Sequence, residues 1–491
     1  MKNTLLYISF FIIAIMSTAC EDLGLIEPDP EDRITQEVAL ADLDGVASHV
    51  ASGFNRLINF NLYGQEMMIM PDALADNVVV GNNTGRYVGE SVNQARVHID
   101  IYNTDITETT PRTVRDRYNA YSTINDVNIA LETIELIRDE NVARADILEG
   151  EARFIRALSY FDLLRVYAYS PGQEVDGFNL GVVLQTDAVF NTSGIEEQDR
   201  DTNLAGYELV ESDLLAAINL LPGEGEIDDF PFRPSNLAAR ALLARVYLYW
   251  GRYGDAATQA QLVLSNTSAN LLTEDEYLGS WSATEHPESI FELEVRLVDW
   301  NTVDGVNNSL ATVTNTSDAD RNLNNAQGAV RASPELIAAF EPNDIRRQLW
   351  VNPTDPNFFE SRKWVGEQGD FRENIPLIRY SEVLLIAAEA KARSGNEAGG
   401  RTDLNTLRTN RGLPPTSASG QAFLDLVMNE RRVELNLEGH RFFDFKRLGM
   451  DIPKPASAGF SALAYTDFRV LANISDEAIS NNTVLTQNPG Y

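Results

Sequence analysis

Long amphipathic patterns constrain this chain more than any other feature. Apolar residues recur at three-and-four spacing over Ile34 to Leu62, Val114 to Ile137, Ala143 to Tyr169, Leu204 to Leu221, Ser235 to Trp250, Gly254 to Leu264, Leu377 to Arg393, Arg401 to Asn410 and Gln421 to Glu438. That spacing puts one apolar stripe on each helix, and each stripe must be buried against another helix. With 491 residues and 44% hydrophobic composition, the chain is long enough to bury a large core. A mostly α fold follows, with minor β content.

Two stretches repeat one idea. "AARALLARVYLYWGRYGDAATQAQLVLS" places Ala241, Ala244, Tyr247 and Leu248 on a first helix, then Gly251, Tyr253, Ala256, Ala257 and Ala260 across a tight turn into a second. "YSEVLLIAAEAKARSGNEAGGRTDLNTLRTNRG" does the same with Ala387, Ala388, Ala390, Leu404 and Leu407. Small residues let antiparallel helices approach closely, and both stretches resemble the tetratricopeptide repeat of about 34 residues. Stacked helix pairs of the α-solenoid kind are expected.

Two regions break the helical pattern, 63–113 and 271–375. The first carries "ADNVVVGNNTGRYVGESVNQARVHIDIYN"; the second carries a predicted strand, "SIFELEVRLV", followed by an Asn/Thr/Asp-rich run. Long loops inside a compact domain are usually functional.

The first twenty residues, "MKNTLLYISFFIIAIMSTAC", read as an export signal: Lys2, an apolar run from Leu5 to Met16, then small residues before Cys20. The apolar run is too short for a membrane span, which takes about 20 residues. Cys20 is the chain's single cysteine, so no internal disulfide forms. Its position resembles the lipobox of bacterial lipoproteins, with Ser17 where leucine is usual. Residues 1–19 are thus expected to be a signal peptide and Cys20 the lipidation site. Residues 20–35, acidic and proline-bearing, are expected to be a tether. The acidic pair Glu21 and Asp22 resembles the surface-export signal of Bacteroidetes lipoproteins, so the chain is expected to sit on the outer membrane facing outward. A net charge of −34 argues against nucleic acid and, more weakly, against polyanionic ligands.

Three longer segments carry a family resemblance: "GEARFIRALSYFDLLRVYA" at 150–168, "IPLIRYSEVLLIAAEA" at 375–390 and "ERRVELNLEGHRFFDFKRLG" at 430–449. With "PESIFELEV" at 287–295, "RASPELIAAFEPNDIRR" at 331–347 and "RKW" at 362–364 in the same order, the chain resembles the SusD/RagB outer-membrane lipoproteins of Bacteroidetes. The resemblance implies a SusD-like α-helical fold with four tetratricopeptide-like helix pairs supporting an irregular, loop-rich ligand face. It divides the mature chain into a helical region over 36–270, a ligand-face insertion over 271–375, and a C-terminal repeat unit, signature helix and tail over 376–491. It also implies capture of an oligo- or polysaccharide, less often a peptide, and a SusC-type TonB-dependent transporter as partner, with this chain as its lid.

The crowded segment "NERRVELNLEGHRFFDFKRLG" has the ionisable groups of a catalytic site. On a helix from Gln421, however, Phe423, Leu426, Val427, Glu430, Val433 and Leu437 share one stripe, so Glu430 faces the core and needs a cationic partner. Arg441, or Arg379, is the expected partner, and Gly439 the expected helix C-terminal glycine, with Leu437 and Phe442 closing over it. The segment reads as a structural clasp. Glycoside hydrolysis needs two carboxylates roughly 5 to 10 Å apart in a cleft, but among 73 acidic residues no pair is marked out. His49, His98, His286 and His440 lie far apart, without zinc-site spacing. No enzyme activity, metal or cofactor is expected.

Sugar binding needs aromatic faces beside amides, carboxylates and guanidinium groups. Trp300, with Asp299, Asn307 and Asn308 in "DWNTVDGVNN", is the first candidate; Tyr87, with Asn82, Asn83 and Arg86 in "GNNTGRY", is the second. Trp281, Trp250 and Trp364 are expected to be structural, and Trp350 is open. A neutral glycan is the favoured ligand. The rivals are peptide capture, a surface glycoside hydrolase and a repeat scaffold without a small ligand.

Overall fold

A computed structural model describes residues 40–59, 62–80, 117–190, 196–296, 309–318, 323–328, 330–352, 359–366, 372–456 and 462–491. The chain opens with α1 (Leu43–Leu57), α2 (Glu66–Ala73) and the short strand β1 (Val78–Val80). Four long helices follow: α3 (Arg117–Ile137), α4 (Val142–Tyr167), α5 (Asn203–Leu220) and α6 (Asn236–Tyr249). After α7 (Tyr253–Asn266) and α8 (Glu274–Ser280) comes the strand-bearing part: β2 (Ser289–Leu293), α9 (Leu310–Thr314), β3 (Thr316–Asp318), β4 (Leu323–Gln327), β5 (Val330–Ala332), α10 (Pro334–Ala339), β6 (Trp350–Val351), β7 (Glu360–Ser361) and β8 (Ile375–Arg379). The C-terminal part holds α11 (Tyr380–Arg393), α12 (Glu397–Thr409), α13 (Gln421–Glu434), α14 (Arg441–Arg447), β9 (Ile452–Pro453), β10 (Ala462–Leu463) and α15 (Asp476–Asn481).

Side-chain caps fix where the helices begin. Asp42 Oδ1 accepts the Asp44 and Gly45 amides at 3.0 and 2.9 Å, Asn141 accepts from Arg144, and Ser235 Oγ accepts from Ala238 at 3.0 Å. Consecutive helices then stack. α1 packs on α3, α3 on α4, α4 on α5, α5 on α6, α6 on α7, α7 on α11, and α11 on both α12 and α13. This is the solenoid of helix pairs expected from the repeats. Where α4 meets α5, a Cβ on Gly206 would come within 2.7 Å of the Leu164 side chain, so the close approach depends on glycine. Across the same contact Asp213 accepts two hydrogen bonds from Arg156, at 2.7 and 2.8 Å.

Most of the core is one continuous cluster, and a smaller one, around Leu385, Leu404, Phe423 and Val427, fills the space between α11, α12 and α13. Among the described residues no helix is long and apolar enough to cross a membrane.

The structure departs from the periodicity in three places. The region 63–113 is not loop throughout: Glu66–Ala73 is helical with every residue buried, Pro71 included. "EMMIMPDA" has no polar face, so amphipathic spacing cannot reveal it. Leu377 does not begin a helix; Ile375–Arg379 is a strand paired antiparallel with β2, and α11 starts at Tyr380. Third, the helix from Gln421 stops at Glu434 rather than Glu438, because Leu437 and Gly439 take left-handed backbone conformations, φ +60° and +82°.

Candidate functional site

The charged signature segment is buried, and its groups are paired. Glu430 is 1% exposed. Its carboxylate accepts from Arg346 Nη2 at 2.8 Å and Arg408 Nη1 at 2.5 Å. Neither expected partner reaches it. Arg441 binds Asp76 at 2.8 and 3.2 Å, and Arg379 binds Glu438 and Glu288 at 2.8 Å and Glu434 at 3.2 Å. The reason is the turn at Leu437 and Gly439, which swings Arg441 away from α13 toward the end of α2. Gly439 is therefore not the cap of α13; its amide donates to Met68 O at 3.2 Å and fixes this turn onto α2.

Glu434, one helical turn on from Glu430, accepts from Arg346, Arg379 and Arg411 at 3.0–3.2 Å. Burial opposes its charge, yet Arg411, Arg379 and Arg346 together hold its carboxyl well below the usual range. Such a group has no proton to donate near neutral pH. The cluster therefore fixes the scaffold and is unsuited to general acid catalysis.

A serine and a histidine do meet. Ser280 Oγ lies 3.0 Å from His286 Nε2. His286 Nδ1, however, accepts the Glu288 amide at 3.2 Å, so the neutral ring carries its proton on Nε2 and donates toward Ser280. Burial, with Arg379 nearby, pushes the imidazole down to about 3. This pair cannot activate the hydroxyl as a nucleophile.

The tryptophans expected to be structural are packed. Trp281 packs edge-on against Trp364 with ring centroids 5.6 Å apart, and Trp364 Nε1 donates to Leu437 O at 3.2 Å. Both are buried, as is Trp350, while Trp250 is half-buried against the core. None offers a free face to a sugar.

In the strand-bearing part, the expected ligand face, the loop roots are locked to one another. β1 pairs with β5, Val80 opposite Val330. β5 is tied to β7 through Ala332 N and Phe359 O at 3.0 Å. On β7, Glu360 accepts the Thr316 amide and hydroxyl at 2.5 and 2.9 Å. Asn315 Nδ2, at the end of α9, donates to Trp364 O at 2.6 Å. Finally, Asn374 Oδ1 accepts the Val295 amide at 2.8 Å while Glu373 accepts the Ala311 and Gly366 amides at 2.9 and 2.8 Å. Segments 81–116 and 297–308 both leave from this framework.

Tyr87, Arg86, Asn83 and Asn82 fall in the first of those segments, and Trp300, Asp299, Asn307 and Asn308 in the second; all lie outside the described residues, as does Cys20. Glu373 and Asn374 had no marker in the sequence, because their partners stand 62 and 79 positions away. Among the described residues no group of three or more His, Cys, Asp or Glu side chains is placed to hold a metal ion.

Comparison with known proteins agrees with this architecture. The model of the SusD family matches residues 361–491, and a second family, described as starch-binding and associating with the outer membrane, matches residues 66–248. SusD-like protein P2 of Formosa agariphila is 24% identical, with 99% of each chain covered. Among solved structures, a SusD superfamily protein of Bacteroides thetaiotaomicron is 25% identical, superposes with a TM-score of 0.77, and covers 91% of this chain and 100% of its own. A SusD-like carbohydrate binding protein of Bacteroides vulgatus, 21% identical with 90% and 97% covered, has the same fold at a TM-score of 0.75. Fold, segment order and matched regions agree, and the chain belongs to the SusD family.

Proposed function

We propose that this protein is a non-catalytic, lipid-anchored glycan-binding protein of the outer cell surface. It captures a neutral oligo- or polysaccharide and passes it, as a hinged lid, to a SusC-type TonB-dependent transporter. The observation that carries this reading is the interlocked set of loop roots. Segments carrying Tyr87 and Trp300, each beside amide and charged side chains, spring from one rigid, buried framework. A rigid base under polar, aromatic loops suits capture of a hydroxyl-rich ligand by stacking and hydrogen bonding. A matching family described as starch-binding and a structural neighbour described as carbohydrate binding point the same way.

Isothermal titration against a panel of neutral oligosaccharides and a peptide digest tests the reading. Glycan binding that drops at least tenfold in Trp300→Ala supports it. Binding of peptides alone, or of neither class, overturns it. Cys20→Ser tests the anchor: the protein should leave the membrane fraction.

A further inference from the structure

Beside the root of the 297–308 segment lies a polar pocket of about 120 Å³. A single water needs only about 10–15 Å³ by the same kind of measure, so the space holds far more than one. Three elements build it. α1 contributes Phe54 and Asn55; the segment before α6 contributes Asp229, Phe232 and Arg233; the end of β2 contributes Glu294 and Arg296. The middle segment is held in place, because the Glu292 amide donates to Pro231 O at 3.0 Å and Phe232 N donates to Asp229 O at 2.7 Å.

Its charges balance. The chain as a whole carries −34, whereas this pocket sets two carboxylates against two guanidinium groups. Arg233 is pre-positioned: its guanidinium lies 4.8 Å from the Phe54 ring centroid and donates to Glu151 at 3.3 Å, and its remaining N–H groups have no acceptor among the described residues. Asp229 is exposed, and its carboxylate has no cationic partner among the described residues. Phe232 is half-buried, and its ring has no aromatic or cationic neighbour among those residues. Asn55 Oδ1 is buried without a hydrogen-bond partner among them. Rotation of a terminal amide is soft, so that acceptor can turn to a ligand.

Donors, acceptors and one open aromatic ring with no net charge are what a pyranose requires: hydroxyls that both donate and accept, and an apolar ring face. We infer that this pocket is a binding subsite for one sugar unit of a neutral oligosaccharide. The inference rests on the proposed glycan-binding function, and its test separates the two.

Neutral gluco-, galacto-, manno- and xylo-oligosaccharides, from disaccharide to heptasaccharide, are titrated into the full-length protein and into Asp229→Ala, Phe232→Ala and Trp300→Ala. A subsite here predicts that affinity rises with chain length in the unmodified protein. Asp229→Ala and Phe232→Ala should each cut binding of the longest oligosaccharides about tenfold, the scale of one polar contact or ring stack. They should leave the shortest ligands little affected. Asp229 is exposed, so its substitution leaves the fold intact even if Phe232→Ala does not. Full binding in Asp229→Ala together with weak binding in Trp300→Ala overturns the subsite and leaves the function standing. Absence of glycan binding in the unmodified protein overturns both.

Discussion

Glu373 accepts the Ala311 amide at 2.9 Å while its neighbour Asn374 accepts the Val295 amide at 2.8 Å. One dipeptide thereby fastens both ends of the segment that contains Trp300. Asn374→Ala leaves a buried amide without this acceptor, which costs about 1–3 kcal/mol. We expect a moderate fall in Tm by calorimetry, together with a loss of glycan affinity larger than the fall in stability explains, since the loop's geometry is set at its roots. Equal affinity in Asn374→Ala would show that the ends of the segment do not position the ligand site.

Glu434 separates scaffold from chemistry. Removing its charge takes away the one carboxylate that the buried Arg346, Arg379 and Arg411 share, leaving them Asp344, Glu430, Glu288 and Glu438. Breaking a buried ionic cluster of this kind costs about 3–5 kcal/mol. Glu434→Gln should therefore lower the urea midpoint strongly, while the molecules that stay folded keep the unmodified glycan affinity. A loss of affinity with unchanged stability would place the cluster in the ligand site instead.

Gly439→Ala should be among the most damaging of small substitutions. The residue sits at φ +82°, and an added Cβ would collide with the Met67 carbonyl oxygen. Its own amide holds Met68 O, so the turn cannot simply move aside. We expect a loss of more than ~1 kcal/mol in denaturant unfolding. Gly223→Ala, where an added Cβ meets nothing within 4 Å, should be nearly neutral and serves as the control.

How much of this could be read from the chain depends on the range of each interaction. The helices of the solenoid were legible because an amphipathic stripe is a local signal, and the buried tryptophans because they sit in family segments. α2 was hidden, since a helix buried on all sides carries no periodicity. β8 was mistaken for helix because its residues, buried along their whole length, lack alternation, and only pairing with β2 makes them a strand. The partner of Glu430 was misassigned for a related reason. Arg346 stands 84 positions away, so nothing in the neighbourhood of the signature segment names it. Glu373 and Asn374 escaped notice on the same ground, since their roles exist only once β2, α9 and β8 have been brought together.

Stability should peak in mildly acidic solution and fall on both sides, and the buried carboxylates give the sign of each limb. Glu292 is 1% exposed, and burial pushes its carboxyl up to about 8 despite hydrogen bonds from Ser289 and the His286 amide. Asp72, also buried, is raised to about 7. A raised carboxyl holds its proton in the folded chain after the unfolded chain has lost it, so stability declines as pH climbs from the ordinary carboxylate value toward 7 and 8. The growing negative charge of so acidic a chain works in the same direction. On the other limb stands Glu389, whose burial is outweighed by Arg447, which holds it down at about 2. Its ion pair is present above the unfolded carboxylate value and is lost as pH falls toward 2; those of Glu434, held well below the usual range, act in the same direction. The limbs meet near the unfolded carboxylate pKa, but the buried neutral His286 and His440 add stability as pH rises toward the unfolded imidazole value, so Tm measured across the range should be highest between about pH 5 and 6.5. Glu292→Gln removes one titrating group from the alkaline limb alone, and should flatten the decline between about pH 5 and 8 while leaving the acid limb in place. An unchanged alkaline slope in Glu292→Gln would assign that limb to the general charge of the chain.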